Sequence, residues 1–237
     1  MELSKRLQAV ADLVTPGYKI ADVGTDHAYI PIYLVEKEIV PMAVAMDINK
    51  GPLERATEHI REYKLENQIQ TRLSNGIQHL HKEEVDAVIL AGMGGNLMVN
   101  ILSDDMEKTE SLKECILQPQ SEIAKVRAFL LEKGFSFIQE NMVLDDGKYY
   151  PMMKVVPPRA DKKQMPVVWS EVELQYGKLL LEQKNPILKQ FLERESDIKG
   201  DILSKLDQVQ GAHILARKAE LNQELFLIRE GLKYYAM

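Results

Sequence analysis

Short apolar runs alternate with helical patterns over the first two thirds of the chain. Seven runs read as strands: Lys19–Gly24, Met42–Asp47, Ile69–Ser74, Val85–Ala91, Glu114–Pro119, Phe135–Glu140 and Tyr149–Val156. The clearest, Val85 to Ala91, is apolar almost throughout, as expected of a strand covered on both faces. Between the runs, residues 2–14, 28–38, 52–64, 95–102 and 121–133 carry apolar positions at helical spacing. Strands that alternate with helices predict an α/β domain: a seven-stranded, mostly parallel sheet with helices on both faces. Asp145-Asp146-Gly147 is a hairpin turn signal, so the last two strands should form an antiparallel pair at the end of that sheet.

The period changes after Pro157-Pro158. Arg159 to Pro166 reads as a linker, and the chain divides into residues 1–158 and a helical domain over 159–237. A first helix spans about 170–184 and ends at Asn185-Pro186. Ile214, Lys218, Leu221, Leu225, Ile228, Leu232 and Tyr235 then follow alternating steps of four and three, with Lys218 the polar intruder. Leu188, Phe191, Glu195, Ile198, Ile202 and Val209 sketch a second stripe, with Glu195 out of pattern. This is the spacing of a packed helical seam. Gln210-Gly211 between the stripes predicts an antiparallel, coiled-coil-like hairpin.

A doubly wound parallel sheet binds its ligands at the carboxyl ends of the strands. The candidate chemistry therefore lies after Val23, Met46, Ser74, Ala91 and Pro119. The first strand runs into Asp22-Val23-Gly24-Thr25-Asp26-His27-Ala28, where a glycine lets backbone approach a ligand and the helix that follows offers unpaired N–H groups. A dinucleotide fingerprint wants glycines at relative positions one, three and six. Counted from Gly24, the second and third of these are Asp26 and Tyr29, and Asp26 would repel a pyrophosphate. A cationic ligand is favoured by the same charges. Asp47, 23 residues past Gly24, stands where a carboxylate commonly accepts ribose hydroxyls. Asn49 fits the adjacent helix cap better, leaving Asp47 free. Ser74-Asn75-Gly76 reads as a turn whose amide could also meet an adenine edge. Ala91-Gly92-Met93-Gly94-Gly95 puts three glycines in four residues, which suits a flat ligand on bare backbone better than packing. No Gly-Lys-Ser or Gly-Lys-Thr follows, so it is not a triphosphate loop. Gln118 and Gln120 flank Pro119 at the fifth strand end.

Charge narrows the partners. The chain of 237 residues has a net charge of −6, with 17 basic and 24 acidic side chains in residues 1–158 against 13 and 12 in residues 159–237. A polyanion must then meet a local patch or the second segment; Lys5, Arg6, Arg159, Lys162 and Lys163 are the candidates. Cys115 is the only cysteine and sits in an apolar strand, so it reads as an inert buried thiol, and a cysteine metal cluster is excluded. His59, His79, His81 and His213 are scattered without ligand spacing, so no metal site is read. No apolar stretch is long enough to span a membrane and no secretory leader is visible; with one thiol, a cytoplasmic location is the simplest expectation. Tyr29 and Tyr33 are i, i+4, which packing explains, although Tyr29 is also one turn from the cleft and could stack on a base.

Taken together, the blocks Asp22-Val23-Gly24-Thr25-Asp26-His27-Ala28-Tyr29-Ile30-Pro31, Ala45-Met46-Asp47-Ile48, Ser74-Asn75-Gly76, Ala91-Gly92-Met93-Gly94-Gly95 and Leu117-Gln118-Pro119-Gln120 resemble the bacterial TrmK family over the whole chain. The resemblance implies a class I Rossmann-like methyltransferase domain with a coiled-coil-like C-terminal domain; that helical hairpin is the candidate aid to tRNA binding, with dimerisation the alternative. It implies S-adenosyl-L-methionine as cofactor and methyl transfer to N1 of adenine 22 of tRNA. By matching position, Asp22, Gly24, Asp47, Asn75 and the loop Ala91, Gly92, Met93, Gly94 and Gly95 would hold the cofactor, with Thr25, Ile48 and Gly76 beside them. Asp26 is the candidate for stabilising the methylated base, Tyr29 for stacking on it and His27 for an accessory role. The chain departs from the broader methyltransferase glycine pattern at Asp26 and Ala28, and Gly92-Met93-Gly94-Gly95 stands where many amino-group methyltransferases carry a Pro-Pro-aromatic box. A monomer or weak dimer without metal is expected. The rival readings are an NAD-dependent oxidoreductase, disfavoured by Asp26, and a non-catalytic adaptor that uses the hairpin.

Overall fold

All seven expected strands form and join one sheet: β1 (Ile20–Val23), β2 (Ala43–Asp47), β3 (Ile69–Leu73), β4 (Ala87–Met93), β5 (Glu114–Pro119), β6 (Ser136–Asp145) and β7 (Lys148–Val156). Their order is β3-β2-β1-β4-β5-β7-β6. The first five pair in parallel, and β7 runs antiparallel to both β5 and β6. The computed structural model describes residues 1–158, 167–206 and 211–236. The expected linker with Arg159, Lys162 and Lys163, Val209 at the end of the second stripe, and Gln210 between the stripes lie outside the described residues.

Side-chain alternation explains how the sheet is covered. Along β4, Ala87 and Ile89 enter one apolar cluster while Val88 and Leu90 enter the other. The first cluster packs under α1 (Lys5–Ala11), α2 (Tyr29–Glu36) and α3 (Lys50–Glu62), through Val10, Ile32, Leu34, Ala56 and Ile60. The second packs under α4 (Gly95–Asp104) and α6 (Ile123–Glu132), through Met98, Ile101, Leu102, Val126 and Leu130. Each of the valine, leucine, isoleucine and methionine side chains among them, fully buried, contributes roughly 1.5–3 kcal/mol. Winding reverses between β1 and β4, so a crevice opens at the carboxyl ends of these two strands.

Three local expectations are corrected. β4 continues to Met93, past the expected end at Ala91, because Gly92 forms a bulge with φ +80° that lets pairing with β5 resume at Pro119. A short helix, α5 (Met106–Ser111), forms where none was expected; Asp105 caps it by accepting from the Lys108 N–H. The single helix expected at 170–184 is two, α7 (Glu171–Tyr176) and α8 (Lys178–Glu182), broken at Gly177 with φ +96°.

The chain divides into two compact units, Met1–Val167 and Val168–Met237. In the second, a Ser170–Glu173 capping box starts α7, and Asn185 caps α9 (Pro186–Leu206) by accepting from the N–H groups of Ile187 and Leu188. Asn185 meets Tyr235, and Lys199 meets Glu224, of α10 (Ala212–Ala236), so the two long helices run antiparallel. Leu221, Leu225 and Ile228 are buried on α10 as the stripe predicts, and Leu188 and Leu192 on α9. Ile198 and Ile202 do not join them; they are exposed. The α9 seam passes instead through Glu195 and Lys199, an ion cluster completed by Glu224. A leucine at i+4 from Leu188, not the aromatic at i+3, defines the packed face. No helix among the described residues is long and apolar enough to cross a membrane.

Candidate active site

The sharp turn that follows β1 makes the floor of the crevice. Gly24 has φ +82°, and a Cβ there would lie 2.8 Å from the Met93 Cε. The turn is pinned because the N–H groups of Gly24 and Thr25 both donate to the Met46 carbonyl, at 2.8 and 2.9 Å. Thr25 is buried; its hydroxyl oxygen accepts the Ala28 N–H and it hydrogen-bonds Asp22. Ala28 takes the left-handed conformation (φ +54°) and opens α2, whose first turn no side chain caps. A methyl group in that conformation is strained, so the backbone at the cleft is held by its surroundings. The cleft has a volume of about 230 Å³ and is lined by Arg6, Asp22, Gly24, Asp26, Tyr29 and Ala91 among others.

Asp22 is buried, and burial pushes its carboxyl up to about 6, against the opposing pull of Thr25 and Arg6; Asp47 adds a further push. Arg6, from α1, donates through Nη1 to Gln118 Oε1 at 3.0 Å. Gln118 is thus fully buried with its carbonyl committed. A buried carboxylate with a raised pKa in a cleft is a candidate functional group. Beside an ammonium or sulfonium group its charged form would be held over a wider range of pH.

The rim is made of side chains. Arg55 of α3 donates from Nε (3.0 Å) and Nη2 to Asp26 Oδ1, and His27 Nε2 lies 3.3 Å from Asp26 Oδ2. The Arg55 hydrogen bond holds the exposed Asp26 carboxyl below its usual range. The rings of His27, Tyr29 and His59 lie nearly parallel, with centroids 5.0–5.5 Å apart. His59 Nδ1 is 3.2 Å from the His27 carbonyl oxygen. Tyr33 turns the other way, into the core, where its hydroxyl accepts from Gln8.

The remaining candidates fall on the same edge of the sheet with different commitments. Asp47 ends β2, and its Oδ1 accepts the Asn49 N–H at 2.7 Å, while Asn49 itself makes no side-chain cap. Asp47 is therefore half engaged, contrary to the expectation that it is wholly free. Ile48 and Asn75 are exposed, and Gly76 turns at φ +57° over Ile101. The glycine-rich strip has more packing in it than the sequence suggests. A Cβ on Gly95 would stand 2.5 Å from the Ser121 carbonyl oxygen, so Gly95 is there for helix contact. Gly92 is the bulge, and Gly94 starts α4. Three side chains of the site do not stand out in the sequence: Arg6, which reads there only as a surface cation, Arg55, and His59, which reads as scattered. Arg55 and His59 are i, i+4 just beyond Asp47, and that spacing was the available signal.

A shallower depression of about 410 Å³ lies along α3 between Lys50, Glu54, Thr57, Arg61 and Leu73. Its charged groups, Lys50, Glu54, Glu58 and Arg61, sum to zero. Among the described residues, no group of three or more His, Cys, Asp or Glu side chains could hold a metal. Cys115 is fully buried, and burial pushes its thiol far up, so it is no nucleophile.

The methyltransferase domain family matches residues 3–153. A curated Bacillus subtilis protein, tRNA (adenine(22)-N(1))-methyltransferase, is 29% identical over 235 residues, covering 97% of each chain. The crystal structure of the B. subtilis M1A22 tRNA methyltransferase TrmK superposes with a TM-score of 0.82 at 29% identity, covering 98% of this chain and 99% of that one. The structure of M. capricolum TrmK in complex with S-adenosyl-homocysteine, described as its natural cofactor product, gives 0.82 at 28% identity over 99% of both chains. With its strand order, its cleft at the winding reversal and a family match over well more than half its length, this chain belongs to the methyltransferase domain family.

Proposed function

We propose that this chain is an S-adenosylmethionine-dependent methyltransferase that modifies N1 of adenine 22 in tRNA. The observation that carries it is a pair of carboxylates four residues apart, one sunk in the floor of the cleft and one raised on its rim beside stacked rings. The full-length likeness to proteins named for that reaction supports the substrate.

The floor fits the cofactor. Asp22 and the uncapped first turn of α2 suit an amino-acid end, the free oxygen of Asp47 suits a ribose, and Ile48, Asn75 and Gly76 offer an exposed apolar and amide edge for adenine. Thr25, Gly24 and the Ala91, Gly92, Met93, Gly94 strip bring bare backbone close. Two carboxylates oppose a pyrophosphate, which counts against the NAD reading. When bound, the cofactor supplies a methyl group on a cationic sulfur that departs as a neutral thioether.

The chain's own part is alignment and charge. Adenine N1 has a free lone pair, so no base is required, and holding it in line provides much of the rate. The ring gains positive charge on methylation. Asp26 stabilises that charge and accepts from the exocyclic amine. Tyr29, stacked on His27, offers a platform for the base, which must leave its stack in folded tRNA. The hairpin of α9 and α10, nearly neutral in charge, grips the tRNA body without the repulsion of the acidic first segment. We assign the activity to the cytoplasm and to a monomer or weak dimer.

The test is to incubate the protein and labelled cofactor with unmodified tRNA transcripts and map the methylated nucleotide. Label at N1 of adenine 22, lost in a transcript with guanine there, is the expected result. Label elsewhere, or none despite cofactor binding, would overturn the assignment.

A further inference from the structure

The Asp26–Arg55 pair is in the wrong charge state for the chemistry proposed above. A carboxylate that must stabilise a base turning cationic is worth most when no other cation neutralises it. Here both Nε and Nη2 of Arg55 sit on one oxygen of Asp26, and His27 Nε2 is near the other. The pair is also cheap to separate. Asp26 is 60% exposed and Arg55 46% exposed, and an ion pair this open to water contributes little. Arg55 has a better partner available in the substrate. A guanidinium binds a phosphate as a planar fork, and RNA presents one at every nucleotide. The catalytic unit is acidic overall, so a cation beside the cleft is valuable to a polyanion.

We infer that Arg55 is a phosphate-binding residue that exchanges partners, releasing Asp26 when the tRNA backbone arrives. In the free protein Arg55 shields Asp26; in the complex it binds a phosphate next to the extruded nucleotide, and the bare carboxylate meets the base. The arrangement makes full acidity of the rim conditional on correctly seated RNA. It rests on the assignment of Asp26 to the target base.

The experiment is methyl transfer and tRNA binding with an unmodified transcript over a salt series, for the intact chain and three variants. Arg55→Ala should raise the KM for tRNA about fivefold and reduce the slope of log affinity against log salt by about one, the loss of one phosphate contact. Its rate at saturating tRNA should fall less than threefold, because Asp26 no longer needs release. Arg55→Lys keeps a point charge for phosphate and should restore the salt slope and most of the KM. If Arg55 only positions Asp26, Arg55→Ala instead lowers the saturated rate more than tenfold, leaves the salt slope unchanged and is not rescued by lysine; that overturns the exchange. Asp26→Ala checks the footing separately. An undiminished rate there brings down the assignment of Asp26, whatever the salt slopes show. Cofactor affinity within twofold in all three variants confirms that the fold is intact.

Discussion

The floor and the rim of one cleft treat their carboxylates in opposite ways. Asp22 sits in the floor, 7% exposed, and burial pushes it up to about 6. Asp26 sits on the rim, 60% exposed, and Arg55 pulls it down. The floor is made of main chain: the Gly24 turn pinned on the Met46 carbonyl, the Gly92 bulge and the start of α2. It is surrounded by close-packed core and has little room to rearrange. The rim is made of side chains from two helices and the loop between β1 and α2, all in reach of water. One region suits a small ligand that always has the same shape, and the other suits a large substrate that must open a path to its own target.

If that division holds, substitutions in the two regions should separate the two ligands. The largest effect is expected on the rim. Asp26→Ala should lower methyl transfer at saturating tRNA about 100-fold, the scale of losing one electrostatic stabiliser of a transition state, while calorimetric cofactor affinity stays within twofold. Equal losses in both would merge the two regions into one.

The floor comes next. Asp22→Asn should weaken cofactor binding at pH 7.5 about 30-fold and leave the protein more stable. The folded state keeps the Asp22 proton up to about pH 6, whereas the unfolded chain releases it near 3.8. Between those values the folded state holds the extra proton, so stability falls as pH rises, by roughly 3 kcal/mol in total. Asp22→Asn removes that fall, and at pH 7.5 its midpoint of thermal unfolding should rise by about 6–12 °C. The intact protein should gain cofactor affinity as pH climbs through 6, and the variant should not. A less stable variant would mean that Asp22 holds the turn together through Thr25, not that it stores charge for a ligand.

The same contrast explains what the sequence discloses. The floor was legible because its devices are local: Asp22, Gly24 and Asp47 lie at strand ends, and strand ends follow from apolar runs. All seven strands are readable from the sequence for that reason, as is the final hairpin, from its Asp-Gly turn. The rim was half legible. Asp26 and His27 in the first loop and Tyr29 at the start of α2 follow one another in the chain and can be named from it, but Arg55 and His59 reach the cleft from α3, and only the fold brings them there. Arg6 is farther still, on α1, and joins the cleft through Gln118. The glycine strip misled in the other direction. Gly95 looked like ligand space and is helix packing against Ser121, which a one-dimensional count of glycines cannot tell apart. The α9 stripe failed for a related reason. Leu192 at i+4 and Phe191 at i+3 from Leu188 are equally good continuations on paper, and the partner helix chose Leu192.

A smaller effect is expected from the platform. Tyr29→Ala should raise the KM for tRNA about tenfold, within the range of losing one base–aromatic stack. Tyr29→Phe, which keeps the ring, should stay within twofold. If phenylalanine fails as badly as alanine, the hydroxyl and not the ring face is what the substrate meets.

The smallest effect separates stacking from hydrogen bonding inside the rim. His59 touches the site only through its neighbours: its ring lies 5.1 Å from that of His27 and 5.5 Å from that of Tyr29, and its Nδ1 lies near the His27 carbonyl. A stacked pair contributes about 0.5–1.5 kcal/mol beyond its buried area, so His59→Ala should raise the KM for tRNA about threefold. His59→Phe retains a ring and removes Nδ1. Recovery with phenylalanine would show that α3 supports the platform by stacking, and an unrecovered loss would assign the support to the bond with the His27 backbone. Either way cofactor affinity should not move, since no part of His59 lines the floor. A cofactor affinity that drops with His59→Ala would mean that the rim and the floor are mechanically one piece, and the separation of their two carboxylates would lose its functional meaning.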